Sequence, residues 1–437
     1  MQILNWSTLD AAARRAALSR PAPMDRADLV DRVAAIIDDV RTRGDAALID
    51  YAERFDGVTP TALRVPAADF ERALAILPEE ALAAIEAAAA NIRAFHEAQR
   101  TPDIDLEPTA GVRLGRLTRP LDAVGLYVPA GSAPLPSTVL MLAIPAAVAG
   151  CPRAVIATPP RDDGGADPAV LAAARLCGID EVYVAGGAQA VAALAYGTET
   201  VPAVDKIFGP GNAWVTEAKQ QVARDPDGAA LDMPAGPSEV LVIADQSARA
   251  SWVASDLLSQ AEHGTDSQAL LVTTSQSLGQ AVVEALEQQL ATLPRAEIAR
   301  AALAHGRILL VGDLDEAVAV SNAYAPEHLI LQTEDAAACV PGITAAGSVF
   351  VGPYTPESLG DYCSGTNHVL PTYGFARTYS GLGVEDFERR ITVQTVTPEG
   401  LRNIGPVAAM LAEIEGLDAH ARAVTLRLAD LADQEVA

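Results

Sequence analysis

Four of the six histidines in this 437-residue chain stand in short polar motifs of its second half. His263 lies in SQAEHG (259–264) and His328 in APEHL (325–329), while His368 closes GDYCSGTNH (360–368) and His420 closes GLDAH (416–420). Imidazole carries protons near neutral pH and is a common zinc ligand. The pattern points to an enzyme that holds a metal. The other two, His96 and His305, lie in alanine-rich helical text and read as incidental.

Gln260 and His263 are three apart near the end of an expected helix, with Gly264 as its terminator. That spacing places both on one face, where they can converge on one ion, and Glu262 points elsewhere. A C-terminal histidine interacting with the helix dipole is the alternative reading of the motif. Glu327 and His328 follow Pro326, and neighbours on a regular strand face opposite ways. Both serve one pocket only where the backbone bends. There, a carboxylate and an imidazole could divide water activation from proton transfer; a surface ion pair is the alternative.

Asp361 and His368 bracket a glycine-bearing loop after the strand-like SVFVG, the kind of loop that supplies catalytic groups on α/β scaffolds. Asp361 could give the oxygen of a mixed nitrogen–oxygen zinc shell. Cys363 is either a soft ligand or a small buried filler. Glu415 and His420 sit in the tail, where a lone pair on a terminal helix ordinarily means little.

These groups need a scaffold, and the chain supplies alternating strands and helices. Residues 30–100 read as helix at a period near 3.6. LYVP, AVIATPP (154–160), EVYVAGG (181–187) and KIFGPGN (206–212) then read as strands separated by helices, and SEVLVIAD, SQALLVTT, GRILLVG and GSVFVGPY repeat the pattern after residue 236. The expected class is α/β: two doubly wound (incomplete Rossmann-like) domains with small N- and C-terminal appendages. The expected divisions are a helical appendage over 1–29, ending at the PAPMD break, one α/β domain over 129–237, and a discontinuous one formed by 30–128 and 238–381. A small segment over 382–437 follows. The turns PAGSAP (129–134), AGGAQ (185–189) and FGPGN (208–212) could lay backbone amides on a ligand or simply join strand to helix. None forms GxGxxG and no GxxxxGK[ST] occurs, so a standard Rossmann dinucleotide mode is not supported.

The formal net charge of −26 argues against nucleic acid as a partner. The most apolar run, Val139 to Cys151, is broken by Pro145 and too short to cross a bilayer. The four cysteines show no CxxC spacing, and the start lacks the apolar stretch of a signal peptide. The expectation is a soluble cytoplasmic protein with no membrane partner.

GLYVPAGSAPLPST, AGGAQAVAALAYGT, VDKIFGPGNAWVTEAK, DMPAGPSEVLVIAD, LLSQAEHG, NAYAPEHLI, SGTNHVLPTYGFARTYSGL and GLDAHARAVTLR follow one another along nearly the whole chain. Together they resemble the histidinol dehydrogenase family. Ala130 departs from a usual glycine, and Cys363 replaces a frequent alanine that is not a zinc ligand of the family. The resemblance implies a homodimer with NAD and one Zn2+ per subunit, converting L-histidinol to L-histidine in two oxidations. It implies zinc on Gln260, His263, Asp361 and His420, with Glu327 and His328 as the catalytic pair. Ser238, His368 and Glu415 match substrate contacts, as do His328 and the four metal positions. Tyr127, Gln189 and Asn212 match NAD contacts, which places the NAD site in 129–237 and the zinc and catalytic residues in 238–381. The segment 382–437 becomes a dimerisation element whose Glu415 and His420 complete the partner's site. The alternatives are a related zinc- and NAD-dependent dehydrogenase of another amino alcohol, or a zinc hydrolase with Glu327 activating water.

Overall fold

The computed structural model describes residues 1–21, 26–130, 133–234 and 236–436. Most of the PAPMD break, Gly131 and Ser132 of PAGSAP, and Ala235 of PAGPSE lie outside these. Among the described residues, no helix is long and apolar enough to cross a membrane.

Two parallel sheets occur in one unit, residues 1–99 and 121–387. The larger has six strands in the spatial order Gln2–Asn5, Arg307–Leu310, Gln268–Thr273, Glu239–Ala244, His328–Gln332 and Ser348–Val351. Its central strands EVLVIA and QALLVT are buried at every position. Sheets covered by helices on both faces select such unbroken apolar runs. The smaller sheet runs Val182–Val184, Arg153–Thr158, Ala123–Tyr127, Lys206–Phe208 and Ala230–Leu231, again parallel throughout. The α/β class expected from the sequence is therefore present.

The division of the chain between the sheets differs from the expectation in two places. Residues 1–29 do not form a helical appendage alone, because Gln2–Asn5 pairs in parallel with Arg307–Leu310 at the edge of the six-stranded sheet. Nor do the helices between residues 26 and 97 join that sheet. Leu29, Val33, Ile36 and Val40 bury against Val155, Tyr183 and the helix Gly187–Tyr196 of the five-stranded sheet. Phe70 and Ile92 join Leu126 and Leu140 in a second layer on the same sheet. The strand Ala123–Tyr127, expected at the end of the 30–128 segment, lies there too. Residues 63–65 cap its edge: Val65 N–H donates to Val182 O (2.9 Å) and Val184 N–H to Leu63 O (2.7 Å).

A second unit comprises Arg100–Pro120 and the chain from Glu388 onward, so the expected 382–437 segment gains a second piece of chain and loses 382–387. Glu388–Val396, Val112–Pro120 and Ile104–Thr109 form an antiparallel sheet. At its hairpin, Gly111 has φ +77, and a Cβ there would strike Thr397 and the backbone of Gly400. Only glycine suits both the left-handed turn and this approach. The helices Pro398–Ile414 and Asp418–Val436 pack as a hairpin in the same unit.

Candidate active site

Two of the central strands begin at residues that could do chemistry. His328 is the first residue of one strand and Glu239 the first of its neighbour. Ser238 immediately precedes Glu239, and its carbonyl accepts from Gln268 N–H at 3.1 Å. The bend that adjacent Glu327 and His328 require is present: Ala325, two residues earlier, has φ +56. Both side chains meet the main chain of Glu239. Its N–H donates to Glu327 Oε2 (2.7 Å), and its carbonyl lies 3.1 Å from His328 Nδ1. Glu327 Oε2 is itself 3.6 Å from His328 Nδ1.

On the other side of the ring, His328 Nε2 lies 3.3 Å from Asp361 Oδ1. Asp361 lies in the last turn of a short helix, Glu357–Tyr362, and its carbonyl lies 2.7 Å from His368 Nδ1. His368 Nε2 reaches Thr138 Oγ1 at 3.2 Å. Burial opposes ionisation of Asp361, but the His328 hydrogen bond and the charges of His328, His368 and His263 hold its carboxyl below the ordinary range. Burial likewise opposes protonation of His328; Glu327 and Asp361 prevail and raise it well above the usual imidazole range. Burial pushes the Glu327 carboxyl up, with His328 pulling against it.

Gln260 lies in the last turn of the helix Ala250–Ala261, and His263 lies just beyond it. The helix is capped by Glu262 rather than ended by Gly264. Gln260 is buried, and neither atom of its amide has a hydrogen-bond partner. Such a group is costly unless something satisfies it. Gln260, His263 and Asp361 offer amide, imidazole and carboxylate donors, a mixed set that zinc accepts. Among the described residues, no three His, Cys, Asp or Glu side chains form a metal cluster, so this set depends on the amide and on a further ligand. Cys363 is not a candidate for that ligand: it packs against the apolar core, and its carbonyl accepts from Asn91 Nδ2 at 2.9 Å. Glu415 and His420 belong to the second unit, where both are exposed.

One turn before Gln260, the buried Asp256 carboxylate accepts from Gln332 Nε2. Burial raises its pKa to about 7. A raised carboxyl favours the folded state fully below the ordinary Asp value, and this contribution is lost as pH rises through about 7. Asp256→Asn is therefore expected to stabilise the fold more at about pH 8.5 than at about pH 5, by on the order of 2 kcal/mol. Thermal melts followed by circular dichroism at both pH values would check this, and an equal effect at both would refute it.

The residues matched to NAD contacts occupy the carboxyl ends of the five-stranded sheet, the edge at which parallel sheets commonly bind ligands. Tyr127 ends its strand, and its hydroxyl accepts from Gly187 N–H at 3.0 Å. Gln189 is buried in the first turn of the helix Gly187–Tyr196. Asn212 caps a third, accepting from Trp214 N–H (3.0 Å) and Val215 N–H (3.2 Å). Glu327 and His328, by contrast, stand at the amino end of their strand.

The sequence reading missed Glu239, Thr138 and Asn367. A glutamate heading the otherwise apolar EVLVIA run was the available signal for the first. His96 is not incidental: it is fully buried, with Nδ1 2.7 Å from Ile92 O and Nε2 3.3 Å from Asn367 Nδ2. It supports the loop that carries His368.

The family model described as histidinol dehydrogenase matches residues 19–428. Histidinol dehydrogenase of Xanthomonas euvesicatoria pv. vesicatoria is 57% identical over 428 residues, covering 98% of this chain and 99% of the relative. That of Vibrio cholerae is 54% identical over 433 residues, covering 99% of each. The crystal structure of histidinol dehydrogenase from Elizabethkingia anophelis superposes with a TM-score of 0.94 at 46% identity, covering 99% of this chain and 98% of that one.

Proposed function

The chain belongs to the histidinol dehydrogenase family, and from this we propose how its residues divide two sequential oxidations. Its activity is the oxidation of L-histidinol in histidine biosynthesis. The reading assigns proton transfer to His328 and water activation to Glu327. Its main support is the bent start of the strand, where both side chains share the Glu239 main chain beside Asp361.

In the first oxidation, His328 takes the proton of the alcohol as the carbinol carbon loses hydride. The resulting aldehyde then adds water, which Glu327 deprotonates. His328 takes the hydroxyl proton of the hydrate in the second oxidation, leaving the carboxylate of L-histidine. Tyr127, Gln189 and Asn212 would hold NAD, which would supply the hydride acceptor for each oxidation. Gln260, His263, Asp361 and His420 would hold zinc, which would supply an anchor for substrate nitrogens and a positive charge beside Asp361 that favours neutral His328. Ser238, His368 and Glu415 orient the substrate, and holding it between steps protects a reactive aldehyde.

His420 and Glu415 are assigned to the site of the partner in a homodimer. The helix Pro398–Ile414 supports an interface: Val407, Met410, Leu411 and Ile414 are each more than half exposed. Apolar side chains grouped in this way mark an association surface. A cytoplasmic location suits an enzyme of amino-acid biosynthesis.

The test is NADH yield from limiting L-histidinol before chelation, after it, and after zinc is restored. Two NADH per histidinol, lost on chelation and regained with zinc, are expected. A single NADH would break the assignment of the second oxidation. None from zinc-restored, folded protein would move the assignment to another amino alcohol, and then to the zinc hydrolase.

A further inference from the structure

A buried ion pair lies directly behind the catalytic pair, and neither member is assigned a role in the chemistry above. The Arg20 guanidinium forks onto the Glu239 carboxylate, with Nε on Oε1 and Nη2 on Oε2 at 2.8 Å. The two side chains are only 12% and 2% exposed. Arg20 also lies 4.0 Å over the Tyr324 ring, and its Nη2 donates to the carbonyls of Tyr324 (3.0 Å) and Ala325 (3.4 Å). The second contact of Glu239 is with Tyr373, whose N–H donates to Oε1 at 2.8 Å. The Tyr373 hydroxyl in turn donates to Pro21 O at 2.7 Å, beside Arg20.

Two facts give this pair a direction. Among the described residues, Ala325 (φ 56) and Tyr373 (φ 55) are the only non-glycine residues in the left-handed region. Such conformations persist where the surroundings over-determine them, and each of these is hydrogen-bonded to one member of the pair. Ala325 is also the residue that turns the chain into Glu327 and His328. The second fact is that the backbone of Glu239 touches both catalytic side chains, as N–H donor to Glu327 and carbonyl partner of His328 Nδ1. Fixing the Glu239 side chain therefore fixes the frame against which both are aligned.

We propose that Arg20 and Glu239 are positioning residues for the Glu327–His328 pair, acting through the Glu239 main chain and the strained turn at Ala325. The inference rests on the catalytic reading above. It places the N-terminal segment in the service of the active site, although that segment contributes no group to the chemistry. An arginine is required because the pair uses a planar fork together with donors to two carbonyls, which an ammonium cannot reproduce.

The test uses the zinc-loaded, full-length enzyme. Arg20→Lys keeps the charge but loses the fork, and Arg20→Met/Glu239→Gln removes both buried charges so that neither is left unpaired. In both, kcat for histidinol is expected to fall roughly 10- to 100-fold, with KM within about threefold and zinc content retained. In a Glu327→Gln/His328→Asn background, Arg20→Lys should cost less than about threefold further, because both groups it positions are already disabled. A purely structural pair would give equal losses in both backgrounds, and that additivity would overturn the proposal. Parental kcat in folded, zinc-loaded Arg20→Lys would overturn it as well. If Glu327→Gln and His328→Asn themselves keep parental rates, the catalytic reading falls and the inference with it. Loss in those two variants alone removes only the positioning role.

Discussion

Replacing His328 with asparagine is expected to suppress alcohol oxidation and aldehyde oxidation alike, each by roughly 100- to 10,000-fold. The expectation follows from where the ring sits. Nδ1 faces the Glu239 carbonyl and Nε2 faces Asp361, so the imidazole is held at both nitrogens within the strand-edge turn. One base in a fixed place suits both oxidations, since each removes a proton from an oxygen on the same carbon. Asparagine keeps a polar group of similar reach but cannot take up a proton, so geometry is spared and basicity is lost. His328 is not among the proposed metal ligands, and zinc content should stay near the parental level. Assays begun separately from histidinol and from the aldehyde read the two steps independently. Full activity from either start would defeat the assignment of a shared base.

The scaffold was legible in the sequence where burial is complete, and illegible where it is partial. EVLVIA and QALLVT announce themselves because every position is apolar or enclosed. QILN is four residues long, with both ends exposed, and shows no such run. Its place in the sheet comes from pairing with Arg307–Leu310, some 300 residues away, which no local pattern encodes. The helix containing Val33, Ile36 and Val40 displays its apolar stripe clearly, but a stripe states only that a face is buried. Which sheet buries it depends on the shape of the opposing surface. For the site, residue type marked Glu327, His328, Asp361 and His368 as candidates with structural alternatives open, and contacts link these four in the structure. Glu239 escaped because its contribution to them is through its main chain, which residue type does not disclose. His96 escaped because a buried histidine bonded to a backbone carbonyl and an amide looks, in sequence, like any other residue of an alanine-rich helix.

Chains carrying His263→Ala and chains carrying His420→Ala should each be inactive alone and regain activity once they exchange subunits. The argument is one of symmetry. In a two-fold dimer, each site would take Gln260, His263 and Asp361 from one chain and His420 from the other. A mixed dimer then gathers both lesions into one site and leaves the second site whole. Random exchange makes half of the dimers mixed, and each has one working site of two, so recovery should approach about one quarter of the parental rate. The opposite arrangement, with His420 serving its own chain, leaves one lesion in every site and predicts no recovery. The placement of the residues makes the contrast informative: Gln260 and Asp361 lie in the first unit and His420 in the second, on a hairpin whose neighbouring helix exposes Met410, Leu411 and Ile414. Heterodimer formation must be verified independently, by differential tagging and mass measurement. Verified heterodimers that remain inactive would remove His420 from the partner's site.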